Sequence, residues 1–370
     1  MSTRTAALPF GVQRTIQKQP RDRPGEVVRS TLANIAMKVR GVFSAVSDTQ
    51  RGILPSRSVS MSCGRSVCSA GESDDELPCV HRPQRASDVW RLLQDDPEAV
   101  WHFQVNYPHL LRLEQQAASV PKFDVKALTA DQEEARWHMV DWIIRSHEES
   151  ELSHLTLFLA VQILDRSLAV CWVPEEKSRK LAATALLLAA KYQDERYPDH
   201  QALEQCAEGH FVAEELHFAE LEMLMQIDHN FHDPTAAHHL YWFLKLCDSD
   251  TMEGSEQHNL ALYLADVGLY SSGSCRWLPT QYAAAVVFLS NLLLSKTSWP
   301  HAFERVVVGG DEERRDNVKT IAADLLRVLA KSKPGDAAYD IHEEDLHTAS
   351  AAVELAKKSM GPNWSPLQKN

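Results

Sequence analysis

The hydrophobic and polar positions divide the chain into a patternless first part and a long helical part. Residues 1–85 show neither the period of 2 nor the period of 3.6 that a buried face requires, and prolines recur through them. We therefore predict a disordered arm there. From about residue 87 onward, apolar residues recur at helical spacing and convincing strand patterns are absent. This pattern predicts an all-α chain.

A first set of five helices is predicted from periodicity and from capping signals. Thr129 and Gln132 have the spacing of a capping box, Ser153 is a second N-cap, and Pro174 is a favoured first-turn residue. The predicted helices cover about 129–149, 153–168, 174–192, 200–207 and 212–227.

The same plan recurs after Pro234, where helices fit about 235–247, 256–271, 279–295, 299–307 and 311–331. The third helix of each set is apolar or small on all sides, as in Leu181–Ala190 and Tyr282–Leu289. Such a helix is a buried one, so each is predicted to be wrapped by the other four. The predicted domains are an arm (1–85), a helical lead-in (86–128), two five-helix units (129–232 and 233–335) and a tail (336–370) with one helix around 343–358.

Charge changes this picture in one respect. The 370-residue chain has a formal net charge of −13, but residues 1–70 carry a net +8 and the remainder −21. The acidic residues 71–370 are expected to bind nucleic acid poorly, because contacts to phosphate need Lys and Arg. The basic arm either touches an acidic partner or is a solvated, self-repelling segment.

Catalytic and cofactor signatures are absent from the sequence. It has no phosphate-binding glycine-rich loop, no metalloprotease helix motif and no nucleophile elbow. Cys63, Cys68, Cys79 and His81 are irregularly spaced, so we expect no metal and no other cofactor. No apolar run reaches the length of a membrane helix. The chain is therefore predicted not to be an enzyme and not to bind a membrane.

Three stretches of the first unit resemble parts of a cyclin box: Ala135–Ile144, Leu155–Arg166 and Leu181–Tyr192. The distances between the three stretches along the sequence also resemble those of a cyclin box. Ser298–Pro300 in the second unit is similar to mitotic, A/B-type cyclins. The resemblance covers about residues 87–335. It implies two tandem five-helix cyclin-box folds. It also implies a non-catalytic subunit, in the nucleus and cytoplasm, that activates a cyclin-dependent serine/threonine kinase at G2/M.

The resemblance assigns roles to five residues of the first unit. Lys191, Tyr192 and Glu222 occupy positions that contact the kinase in this family. Arg136 and Asp165 occupy positions that form a buried ion pair between the first two helices. An ion pair between them is also expected on physical grounds, because both residues lie among apolar neighbours, where an unpaired charge is unfavourable.

A substrate-docking groove is also implied, on the first helix of the first unit. Its positions Ala135, His138, Met139 and Trp142 recur at i, i+3, i+4 and i+7 and so share one face. Arg145 stands where the family often has Glu, and Arg179 replaces a Gln near the same rim. We therefore expect substrates or inhibitors with a basic-x-Leu motif to bind weakly. The alternative is a partly solvated face that binds nothing.

In the arm, Arg29, Leu32 and Ile35 resemble a destruction box, the degradation signal of mitotic cyclins. This match implies recognition by a ubiquitin ligase.

Two alternatives to a mitotic kinase activator remain open. One is a transcription-related cyclin-fold protein, against which the acidic body and the missing zinc ribbon count. The other is a scaffold that binds a kinase without activating it. Two departures from the family keep it open: the altered docking groove, and Gln193 after Lys191 and Tyr192, where the family usually has an acid.

Overall fold

The computed structural model describes residues 96–117, 128–247, 254–343 and residue 354. Every regular element in these residues is helical, which confirms the predicted all-α class. The predicted arm and the first part of the lead-in lie outside the described residues.

The described lead-in is a helix in three pieces. These are α1 (Pro97–Trp101), a π-helical turn (His102–Asn106) and α2 (Tyr107–Ala117). The side chain of Asp96 caps α1 by accepting from the backbone N–H of Ala99 at 3.0 Å.

The first unit contains the five predicted helices, which are α3 (Ala130–Glu149), α4 (His154–Val170), α5 (Glu175–Gln193), α6 (His200–Cys206) and α7 (Ala213–Gln226). Both hydrogen bonds of the predicted capping box form at the start of α3: Gln132 N–H donates to Thr129 Oγ1, and Thr129 N–H donates to Gln132 Oε1. Ser153 caps α4 as predicted. Pro174 differs by one position, because it is the N-cap of α5 and not a residue of its first turn.

The second unit repeats this plan with α8 (Ala237–Lys245), α9 (Glu256–Leu269), α10 (Pro279–Leu293), α11 (His301–Val307) and α12 (Glu312–Leu329). A short 3-10 helix, Ser274–Arg276, lies between α9 and α10. All five helices fall within the ranges predicted from periodicity.

The central helices are buried as the sequence predicted. In α5 every residue from Ala182 to Ala190 is buried, and in α10 every residue from Tyr282 to Leu293 is buried. Gly268 on α9 belongs to this packing, because a Cβ there would collide with the Tyr282 hydroxyl. That hydroxyl donates to the Ala265 carbonyl at 2.6 Å, so a small residue on α9 lets the two helices approach closely.

The lead-in helix packs on the second unit, which the sequence did not indicate. The ring of His102 stacks on Trp242 at 4.1 Å, and Tyr107 meets Phe243 edge-on at 5.9 Å. Further along α2, the buried Glu114 carboxylate accepts hydrogen bonds from the backbone N–H and hydroxyl of Thr280. Glu114 thereby satisfies an N–H of the first turn of α10, where a negative charge is favoured.

The tail returns to the first unit through a short helix, α13 (Ala337–His342). The Asp141 carboxylate on α3 accepts from the Ala337 N–H at 2.7 Å, and the Tyr270 hydroxyl donates to the same oxygen at 2.7 Å. The predicted tail helix around 343–358 lies outside the described residues except for Glu343 and Glu354.

No described helix combines the length and the apolar character that crossing a membrane requires. Within the same described ranges, no three metal-ligating side chains come together as a metal site. Cys63, Cys68, Cys79 and His81 lie outside those ranges.

Candidate protein-binding surface

Arg136 and Asp165 form a buried, bidentate ion pair between α3 and α4. Arg136 Nε lies 2.7 Å from Asp165 Oδ1, and Arg136 Nη2 lies 2.9 Å from Oδ2. Burial opposes the charge of Arg136, but the Asp165 carboxylate outweighs it and the pKa of the guanidinium is raised. Arg136 Nη1 also donates to the carbonyls of Leu269 and Tyr270 at the end of α9. The pair therefore joins the first unit to the second.

Lys191 at the end of α5 pairs with Glu220 of α7. Its Nζ lies 2.7 and 2.8 Å from the two carboxylate oxygens of Glu220, and His200 Nε2 lies 2.9 Å from one of them. Glu220 is 9% exposed, whereas the Lys191 side chain is 32% exposed. The result is an ion pair at the edge of the fold, with its cation presented to solvent.

Lys191 and Glu222, which the resemblance assigns to one kinase contact, lie in different surroundings. Glu222 is exposed and lines a separate small cleft with Lys177 and Lys180 near the start of α5. Residues two apart on a helix point to different sides, so Glu220 and Glu222 cannot both face Lys191. The sequence offered both acids at nearly the same place, and only the packing of α5 on α7 separates them.

The residues after Lys191 have different tasks. Tyr192 is 49% exposed and stacks on Phe231 at 5.0 Å. Asp194 turns inward, where its carboxylate accepts from the Ser153 N–H and the Thr156 hydroxyl at the start of α4. Tyr192 is thus available to a partner, while Asp194 serves the fold.

A stripe of apolar side chains is exposed on α7, the helix that also carries Glu220. Phe218 is 73% exposed, Leu221 52% and Met225 69%. They recur at i, i+3 and i+7, so they lie along one face of the helix. We call Phe218, Leu221 and Met225, together with Lys191 and Tyr192, the α5–α7 surface. Sequence reasoning missed the stripe, because apolar residues at this spacing usually face a core.

The expected docking groove is not open on α3. Met139 is 2% exposed and Trp142 5% exposed, so both belong to the core. Ala135 is half-buried, and the side chain of His138 projects into solvent. The Trp142 indole N–H donates to the Cys206 carbonyl at 3.4 Å, which holds the ring against α6. The expectation that Met139 and Trp142 line an accessible apolar pocket is therefore wrong for this structure.

The two arginines of the expected groove lie in different surroundings. The Arg179 guanidinium lies 5.9 Å from the centre of the Trp142 ring and covers it. Arg145 instead faces the tail: its Nη2 donates to the Gly335 carbonyl at 3.2 Å and lies within 4 Å of the Asp141 and Asp340 carboxylates. The charge of Arg145 is therefore compensated. The third predicted site, Arg29, Leu32 and Ile35, lies outside the described residues.

Comparison with known families gives two matches that together span about two thirds of the chain. The family described as "Cyclin, N-terminal domain" matches residues 107–232, and "Cyclin, C-terminal domain" matches residues 234–354. The junction between the matches falls between α7 and α8, where the first unit ends and the second begins.

Individual relatives carry mitotic names. The chain is 29% identical to the G2/mitotic-specific cyclin-B2 of Gallus gallus, over 52% of this chain and 47% of that protein. It is 31% identical to the cyclin-B2 of Oryzias javanicus, over 52% of this chain and 49% of that protein. A solved viral cyclin from herpesvirus saimiri aligns with a TM-score of 0.49 at 18% identity, covering 58% of this chain and 97% of the viral chain.

The aligned stretch thus spans about half the length of these relatives. The two domain matches carry the assignment, because they fall in order on the two five-helix units. This chain belongs to the cyclin family.

Proposed function

We propose that this chain is the regulatory subunit of a cyclin-dependent serine/threonine kinase and activates it through the α5–α7 surface. The observation that carries the proposal is the exposed stripe of Phe218, Leu221 and Met225 on α7, the helix whose Glu220 pairs with Lys191. Contiguous exposed apolar side chains typically mark a protein-binding site. The ion pair between α5 and the same helix supplies a directional contact that fixes the orientation of a partner.

In the proposed mechanism the kinase supplies all of the chemistry. A kinase of this class needs its β3 Lys–αC Glu ion pair and its activation loop in place, and the position of the αC helix controls both. A surface that packs better against the active position of that helix shifts the population toward it. The apolar stripe supplies buried area for this contact, and Lys191 supplies charge at its edge.

We further propose that the chain acts at G2/M. Support comes from the names of the aligned relatives, which are G2/mitotic-specific cyclins. Synchronised cells depleted of the protein are then expected to arrest before or within mitosis. Arrest at another stage contradicts the assignment to G2/M.

The sharpest test compares two acids on the same helix. The wild-type chain is expected to co-purify with a recombinant mitotic cyclin-dependent kinase and to stimulate phosphorylation of histone H1. Glu220→Ala frees Lys191 and is expected to reduce both readouts, whereas Glu222→Ala removes the same charge two residues away and is expected to leave them unchanged. Circular dichroism confirms that both variants keep their helical content.

Two outcomes contradict the proposal in different ways. If Glu222→Ala impairs the kinase and Glu220→Ala does not, the contact surface is misplaced. If the wild-type chain binds the kinase without stimulating it, the chain is a scaffold and not an activator.

The arm carries a separate proposal, supported by sequence alone. We propose that Arg29, Leu32 and Ile35 recruit a ubiquitin ligase, and that the protein occurs in both nucleus and cytoplasm. Arg29→Ala with Leu32→Ala is expected to lengthen the half-life of the protein at mitotic exit. An unchanged half-life in dividing cells removes the degradation signal from the proposal.

A further inference from the structure

A cavity of about 610 Å³ lies between the two units, and the proposed kinase contact does not use it. Its walls come from α2, α4, the connection between α7 and α8, and α10. Ligand-binding cavities typically measure about 300–1,000 Å³, so its volume is that of a binding site.

The walls of this interdomain cavity are mainly apolar. Phe158 and Val161 contribute from α4, and Trp277 and Leu278 contribute from the segment before α10. Val170, the last residue of α4, also lines the cavity and is 62% exposed. An exposed valine at the mouth of an apolar cavity offers area that a partner side chain can cover.

The charges around the cavity are predominantly negative. Its charged lining consists of four carboxylates and one guanidinium: Glu114, Asp165, Asp228, Asp233 and Arg166. Asp165 is neutralised by Arg136. Arg166 donates to the carbonyls of Ile227 and Asn230 and lies 3.7 Å from Asp233.

The other two lining carboxylates, Glu114 and Asp228, differ in exposure. Glu114 is held inside the fold by Thr280, whereas Asp228 is exposed at the rim. The whole chain carries a net charge of −13, which adds a long-range attraction for cations.

We propose that the interdomain cavity binds a short segment of a partner protein in which bulky apolar side chains lie next to Lys or Arg. The apolar side chains enter the cavity between Phe158 and Trp277. The cation of the segment lies against Asp228. This site lies beyond the kinase contact, since its lining excludes Lys191, Glu220 and the stripe on α7.

The experiment uses the full chain and three fluorescein-labelled peptides. The probe has the sequence Ser-Lys-Leu-Phe-Lys-Ser, the first control replaces both Lys by Glu, and the second replaces Leu and Phe by Ser. Fluorescence anisotropy is expected to show that the probe binds at least about tenfold more tightly than either control. The advantage over the Glu peptide is expected to shrink at high salt, because exposed charges are screened.

Protein variants then locate the binding. Val170→Lys removes apolar area and adds a like charge at the mouth, so it is expected to weaken probe binding by about tenfold or more. Asp228→Asn is expected to weaken it by about two- to fivefold, the usual size of an exposed ion pair. Asp228 has a φ of +54°, and Asn tolerates that conformation as Asp does. Val105→Lys is the matched control, since Val105 is 53% exposed and does not line the cavity.

A second readout needs no variant. Cys275 lines the cavity, whereas Cys206 does not. Bound probe is expected to slow alkylation of Cys275 at least about threefold and to leave Cys206 unchanged, as measured by mass spectrometry. Three results overturn the proposal: no probe binding at about 1 mM, equal binding of the Glu peptide, or probe binding that Val170→Lys and Val105→Lys alter equally.

Discussion

The two units have the same five-helix plan but different surfaces. Large apolar side chains exposed on the described part of the first unit are Val170, Tyr192, Tyr197, Val212, Phe218, Leu221 and Met225. The described part of the second unit exposes Tyr241 alone among such side chains. The same fold is therefore compatible with a closed surface, so the exposed residues of the first unit are not a by-product of the architecture. Exposed apolar area of this kind indicates where a partner binds.

The central helices show the same contrast. Burial in α10 extends to its last residue, Leu293, and the preceding eleven residues are buried as well. Burial in α5 stops at Ala190, and the next two residues, Lys191 and Tyr192, are exposed. The end of α5 is thus the point at which the first unit departs from the second, and it lies beside α7.

The largest expected effect comes from breaking the contact that holds the two units together. Arg136→Leu leaves the buried Asp165 carboxylate and two α9 carbonyls unpaired, and is expected to lower the free energy of unfolding by about 3–5 kcal/mol. The double variant Arg136→Leu/Asp165→Leu removes the orphaned charge and is expected to recover at least half of that loss. Urea unfolding measures both. A double variant less stable than the single one contradicts this account of the pair.

The second effect tests the contrast between the two surfaces directly. Phe218→Asp with Leu221→Asp places charges in the stripe and is expected to weaken kinase binding by about 100-fold, because truncating central interface residues costs about 2 kcal/mol or more. Tyr241→Asp changes the one exposed apolar side chain of the described second unit and is expected to change binding less than about twofold. Titration calorimetry with the purified kinase measures both. If the substitutions in the two units weaken kinase binding equally, the difference in exposed apolar side chains between the units has no functional meaning.

Local signals explain how much of the fold was predictable. The capping box at Thr129 and Gln132 and the all-apolar stretches of α5 and α10 depend on neighbours in sequence, and all were predicted. The choice between Glu220 and Glu222 depends on how α7 rotates against α5, which no local pattern encodes. The same holds for the lead-in, which was predicted to be helical but not to be covered by Trp242 of the second unit.

The candidate site was predictable only in part for the same reason. Lys191 and Tyr192 follow from the resemblance to cyclins, and the structure places them at the surface beside α7. Phe218, Leu221 and Met225 have the spacing of a core stripe, and only the packed structure shows that nothing in the described chain covers them. An apolar face can be located from sequence, but whether the fold itself buries it is a tertiary property.

A third prediction concerns the histidines between the lead-in helix and the second unit. Burial lowers the pKa of His239 to about 3 and that of His102 to about 4, so both are neutral in the folded state. His239 is fully buried, and the carboxylate of Glu114 lies 4.0 Å from its Nε2. The unfolded chain binds protons near the ordinary value of about 6.5, so stability is lost as the pH falls below that value.

The expected loss between pH 7 and pH 5 is about 2 kcal/mol for each of these histidines. His239→Leu keeps an apolar side chain at this position and is expected to remove about half of the dependence. The imidazoles of His154 and His342 lower the pKa of Asp266, although its burial acts in the opposite direction. Asp266 therefore stays ionised over this range and adds nothing to the pH dependence of stability. Thermal unfolding at pH 7, 6 and 5 measures the slopes. Equal slopes for the variant and the wild type contradict the assignment to His239.

The smallest expected effect comes from comparing substitutions of Arg145 and Arg179. The resemblance to cyclins placed both residues at the rim of the docking groove. Arg179 covers the Trp142 ring, so Arg179→Gln is expected to uncover the ring and remove a positive charge from its approach. Arg145 is compensated by Asp141 and Asp340, so Arg145→Gln changes the charge near the ring little. A cation over an aromatic ring close to the surface contributes about 0.5–1 kcal/mol. A basic-x-Leu peptide is therefore expected to bind Arg179→Gln about two- to fivefold more tightly than wild type, and Arg145→Gln about as weakly as wild type.

Anisotropy titrations at low and high salt separate the effect of uncovering the Trp142 ring from the effect of removing a positive charge, because only the charge effect shrinks with salt. Tighter binding to Arg145→Gln than to Arg179→Gln shows that the tail does not compensate Arg145 in solution.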